Sequence, residues 1–170
     1  MIENTQEVAK SIGWLGETWG FWIQTGAFLL SAVAGVAVIY FNGKQARTRA
    51  LIDMLTHHKS DKDLVEATRR VNALHSNGGR LSHHVDKDSD ERKSILKVLN
   101  TQEFIAVGVR MKAFDEDVYK EMQCSNVLRL WSASKGFITE LRESDKAPTI
   151  FQDFERLATR WEKKPIKKIN

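Results

Sequence analysis

The run TWGFWIQTGAFLLSAVAGVAVIYFNG, residues 18–43, holds 26 residues without one Asp, Glu, Lys, Arg or His, in a chain whose residues are 28% charged. As an α-helix rising about 1.5 Å per residue it reaches roughly 39 Å, more than the roughly 30 Å of a bilayer's hydrocarbon core. A cleaved signal peptide needs a positive start and an apolar stretch of only about 7 to 15 residues. Here Glu3, Glu7 and Glu17 outnumber Lys10 ahead of a far longer run. The core helix of a water-soluble protein would show a polar face within six turns. The run therefore predicts a membrane-spanning helix.

Its flanks agree. Trp14, Trp19 and Trp22 gather at one edge and Tyr40 and Phe41 at the other, where amphipathic rings favour the boundary between water and hydrocarbon. Lys44, Arg47 and Arg49 follow the run, whereas the segment before it is net negative. By the positive-inside rule the N-terminus lies outside and the remainder lies in the cytoplasm. This divides the chain into a short extracytoplasmic segment (1–18), a transmembrane helix (19–42) and a cytosolic helical domain (43–170).

Within the run, Gln24, Ala27, Ser31, Ala34 and Val38 recur at steps of three and four, with Gly35 beside them. Lipid supplies no hydrophobic force between helices, so small side chains that allow close approach take its place. The stripe predicts self-association into a homo-oligomer, and Gln24 prefers a partner amide or a water-filled pore to bare lipid.

Beyond residue 43 the pattern turns amphipathic. Two prolines and ten glycines in 170 residues favour helices over a multi-stranded sheet. The expected class is all-α, a helical bundle behind one spanning helix. Ala46, Ala50, Leu51, Met54 and Leu55 continue the first helix or follow a bend at Asn42-Gly43-Lys44. Ser60 and Asp63 resemble a capping box for a helix ending at Asn77-Gly78-Gly79. A central helix spans 90–112. Asp115 caps the next stretch, one helix or two, and Thr149 with Gln152 forms a capping box for the last. Cys124, the single cysteine, has no disulfide partner and reads as a packed thiol in a reducing compartment.

The strings ILKVLNTQEFIAVGVRMKAFDEDVYKEM and PTIFQDFERLATRWEKKP, with Trp131 between them, resemble a bacterial family of membrane-anchored helical proteins known as a domain of unknown function. Leu99, Asn100, Glu103, Gly108, Arg110, Asp115, Trp131, Phe154, Glu155 and Trp161 carry the likeness, over residues 45–165. It implies an N-terminal membrane helix in the bacterial inner membrane and a helical cytosolic domain, but no reaction. In plan alone the chain is similar to small membrane proteins that accompany CRISPR and other antiphage systems, which pair a membrane helix with a HEPN-like domain and in some cases form pores.

That second likeness implies a test, since HEPN nucleases use an Arg and a His four to six positions apart on RNA. Arg70 and His75 have the spacing, yet eleven arginines and five histidines yield such a pair by chance. Five positions also set them about 140° apart around a helix, at roughly 100° per residue. In HHVDKDSDE, Asp86, Asp88 and Asp90 match the start of a calcium loop, but Glu91 replaces the required glycine and Lys97 the closing acid. Adjacent His83 and His84 are not spaced for one metal. His57 and His58 form a pH-responsive patch or an exposed helix face. Asn100 and Glu103, inside the most apolar helix, read as a polar clamp with Arg110 or Arg129.

The first 43 residues carry three glutamates and one lysine, so in a chain of net charge +4 the remainder holds +6. Lys44, Arg47 and Arg49, with Lys163, Lys164, Lys167 and Lys168, suit anionic lipid headgroups. No Gly-rich phosphate loop or RNA-binding signature accompanies them. No cofactor is expected. The sequence reading is a non-enzymatic, oligomeric, single-pass membrane protein. Its cytosolic domain senses a protein, RNA or nucleotide partner, with a pore as its output. Rival readings are a tethered HEPN-like ribonuclease and a passive scaffold.

Overall fold

The computed structural model describes residues 18–85 and 88–166. Trp14, the charges before residue 18, Asp86, Lys167 and Lys168 lie outside the described residues. Among the described residues the chain forms five α-helices and one 3-10 turn, and no β-strand: α1 (Trp19–Ser60), α2 (Lys62–Ser76), the turn Leu81–His84, α3 (Asp90–Arg110), α4 (Glu116–Ser144) and α5 (Gln152–Lys163). By its internal packing the chain divides into two units, residues 1–45 and 46–170.

In the first unit α1 is apolar all round and buries nothing. Before Leu51 none of its residues is buried, and Ile23, Leu30, Val33 and Ile39 each expose more than two thirds of their surface. It is the one helix among the described residues long and apolar enough to cross a membrane. The helix passes unbroken through Asn42-Gly43-Lys44.

The second unit is built by helices that each bury one face. Helix α2 packs on α3, α3 on α5, and α4 on both α5 and the 3-10 turn. The core joins Leu51, Leu99, Ile105, Phe137, Phe154 and Trp161, all at most 1% exposed. Burying a side chain of that size contributes about 1.5–3 kcal/mol. Trp131 meets Phe154 edge to face at 5.6 Å between ring centres, and Tyr119 lies 5.5 Å from Trp161.

The helix ends revise two expectations. Ser60 is the last residue of α1, its hydroxyl donating to the Thr56 carbonyl, and the cap of α2 is Asp61, which accepts from the Leu64 amide at 3.0 Å. That bond and Lys97 hold the Asp61 carboxyl below the usual carboxylate range. Ser89 caps α3 and Asp115 caps α4, a single helix of 29 residues. Thr149 makes no capping box. Helix α5 begins at Gln152 behind Phe151, which has φ 55° and no side-chain cap. Gly78, at φ 73°, ends α2, in the left-handed conformation that glycine adopts without steric cost.

Candidate functional site

Between α2, α3 and α4, and closed at one side by the last turn of α1, lies a cleft of about 360 Å³. Its floor is the buried apolar face of these helices: Leu64, Val71, Val98, Ile105 and the ring of Tyr119. The Tyr119 hydroxyl donates to Gln102 Oε1 at 2.9 Å. Burial pushes the phenol well above its ordinary value, with Gln102 opposing. That bond takes one lone pair of the Gln102 oxygen and leaves the amide N–H pair as donors. Along α4, Arg129 Nη2 donates to Asn126 Oδ1 at 3.2 Å and Asn126 Nδ2 donates to Gln123 Oε1 at 2.9 Å. These side chains sit three positions apart, so helical geometry sets them in one row.

The rim carries Lys59, Arg129, His58 and His75, and no Asp or Glu lines the cleft. Elsewhere most basic side chains that line a groove hold acids, Lys163 excepted: Arg70 binds Glu66 and Asp90, Lys97 binds Asp61 and Asp63, and Arg142 binds Glu155. Among the described residues Lys59 and Arg129 have no such ion pair. Burial lowers the His58 pKa, neighbouring His57 lowers it further, and Asp61 opposes both. The cleft thus presents donors over an apolar floor, with cations on its rim that form no ion pair among the described residues.

A second polar junction fixes the start of α5. Glu103 Oε1 and Oε2 accept from the backbone amides of Asp153 and Phe154 at 3.1 and 2.7 Å. A carboxylate from α3 thereby does what a local cap does elsewhere and also meets the positive end of the α5 dipole. Arg110 Nε binds Asp153 at 2.9 Å, and Arg156 binds the same oxygen at 3.2 Å. Asp153 is 6% exposed, so these guanidinium groups offset its desolvation. Glu103 and Arg110 thus reach two different parts of one helix start. Asn100 is exposed and takes no part; it borders a shallow groove with Lys97 and Phe104.

The other sequence candidates are dispersed. Arg70 lines a groove with Asp90 and Lys93, while His75 lines the cleft. Gln24, Ala27, Ala34 and Gly35 are exposed along α1, and the Ser31 hydroxyl donates to the Ala27 carbonyl at 2.9 Å. Lys44 and Arg49 are exposed and Arg47 is half-buried. Cys124 is buried and free. No group of three metal-ligating side chains exists among the described residues. Sequence reasoning missed the cleft, although Gln123, Asn126 and Arg129, beside the apolar Val127, hinted at a polar row bordering a buried face.

A family model matches residues 25–161, starting inside the apolar run and ending at Trp161. The chain belongs to DUF4760, a domain of unknown function. The DUF4760 match takes in most of the apolar stretch of α1 as well as the helices that build the cleft. Comparison with curated proteins and with solved structures returns no match.

Proposed function

We propose that this DUF4760 chain is a membrane-anchored, non-enzymatic sensor: residues 19–42 span the bilayer with the N-terminus outside, and the helical domain receives a partner on the cytoplasmic side. One observation carries the reading. A helix apolar on every face, none of it buried before Leu51, belongs to the same chain as a domain that has its own core and a donor-rich cleft. Apolar surface on that scale in water is unfavourable by about 25 cal/mol per Å², and lipid removes the penalty.

The output in this reading is self-association of the spanning helices through Gln24, Ala27, Ser31, Ala34 and Gly35, with a partner-driven change that reorients them into a pore. Support comes from the stripe's exposure and from the open space where a Cβ on Gly35 would stand. Antiphage defence is the setting, by likeness of plan. The ribonuclease reading has less support, because Arg70 and His75 line different grooves.

The test is extraction and leakage. The full chain should resist alkaline carbonate and leave membranes only with detergent, sediment there as one discrete multimer, and release dye from liposomes. Release by carbonate would end the anchoring reading; a monomer that leaks nothing would end the pore and leave a passive scaffold.

A further inference from the structure

We infer that the cleft between α2, α3 and α4 is a binding site for a nucleotide-class anion, of mononucleotide size, with its phosphate at Lys59 and Arg129 and its ring among the carboxamides above the apolar floor. This names the ligand class for the sensing domain and rests on the proposed function in that one respect.

Three observations converge on it. Charge comes first: the cleft has cations on its rim and no lining carboxylate, and neither Lys59 nor Arg129 is ion-paired among the described residues. The Arg129–Asn126–Gln123 row runs donor to acceptor and ends in the free N–H pair of Gln123, and Gln102 likewise keeps its N–H donors. A donor-rich rim of this kind suits phosphate oxygens. Shape comes second. About 360 Å³ lies within the range of about 300–1,000 Å³ of small-ligand clefts, too little for an oligonucleotide.

The third observation separates a nucleotide from an acyl anion, which would also want cations over an apolar floor. Four carboxamides line the cleft, Asn72, Gln102, Gln123 and Asn126. An acyl chain laid across them would strip their water and return no hydrogen bond. A heterocyclic ring presents donors and acceptors on its edge, which carboxamides can match, and an apolar face that can rest on Val71 and Ile105.

The experiment titrates the full chain in detergent micelles with the four ribonucleoside monophosphates, inorganic phosphate, the uncharged nucleosides and decanoate, followed by calorimetry. At least one mononucleotide should bind one per chain and at least about tenfold more tightly than phosphate or its nucleoside. Arg129→Gln, at an exposed position, should weaken it about tenfold or more. Thr68→Trp should block the cleft and abolish binding, while Lys135→Gln, outside the cleft, should leave it unchanged. Circular dichroism checks that each variant keeps its helicity, and Arg129→Gln decides the matter if Thr68→Trp does not fold. The inference is overturned if no mononucleotide binds at millimolar concentration. It is also overturned if phosphate or decanoate binds as well as the nucleotide, or if binding survives Arg129→Gln and a folded Thr68→Trp. Carbonate extraction needs no nucleotide, so failure here and failure of anchoring are read separately.

Discussion

Along residues 19–42 of α1 apolar side chains occupy every face, whereas α3, α4 and α5 each bury one face and expose the other. The backbone is the same in both regions. What differs is where the apolar surface finds company: from other helices in the domain, and in the proposed reading from lipid along α1. Substitutions at equally large apolar residues should therefore be felt by different measurements in the two regions.

The largest separation should come from Trp161→Ala. It removes a side chain 1% exposed, its contact with Tyr119 and its Nε1 bond to Glu116, and should cost the domain about 3–5 kcal/mol in chemical denaturation. Membrane retention should not change; a loss of retention would mean that the two regions are not energetically separate. The mirror experiment is Val33→Arg, near the middle of the apolar run. It should cost about 2.5–3.5 kcal/mol of insertion, read as the inserted fraction in a translocation assay, with the domain's melting temperature unmoved.

Smaller effects sharpen the domain side. A Cβ on Gly108 would run into the Phe114 ring, so Gly108→Ala should destabilise by about 1–3 kcal/mol. Glu103→Ala leaves two α5 amides without their acceptor and should cost about 1–2 kcal/mol, with Glu103→Gln recovering part of it. The smallest effect concerns pH. Burial lowers the His58 pKa from 6.5, so its neutral form is favoured in the folded state. Stability should then fall as pH drops below about 6.5, until His58 protonates in the folded protein too. His57, Asp61, Lys59, His75, Arg129, Lys93 and Lys97 face it or share its grooves. His58→Gln should flatten the pH dependence of the melting temperature; an unchanged slope would assign it to other groups.

How much of this was legible in the sequence follows from the range of the interaction. An apolar helix needs no partner to be recognised, and the cap at Asp115 acts within three residues, as does the left-handed end at Gly78. Ser60 misled because a serine can either cap a new helix or bond back four residues to the turn behind it, and here it bonds back. The start of α5 was illegible for a stronger reason. Its cap comes from Glu103, fifty residues earlier, and Phe151 adopts a left-handed φ that residue type alone does not predict. The cleft was hidden likewise, because its carboxamides sit on α2, α3 and α4 and meet only in the packed domain.

The absent side chain at Gly108 has one more effect. The Phe114 ring occupies the space a methyl group would need, and the Gly108 carbonyl accepts from the amides of both Ala113 and Phe114. The chain thus passes from the 21-residue α3 into the 29-residue α4 across only residues 111–115. So short a joint leaves little slack between the two longest rods of the domain. Any side chain at position 108 would have to displace that ring, and the joint would have to move with it.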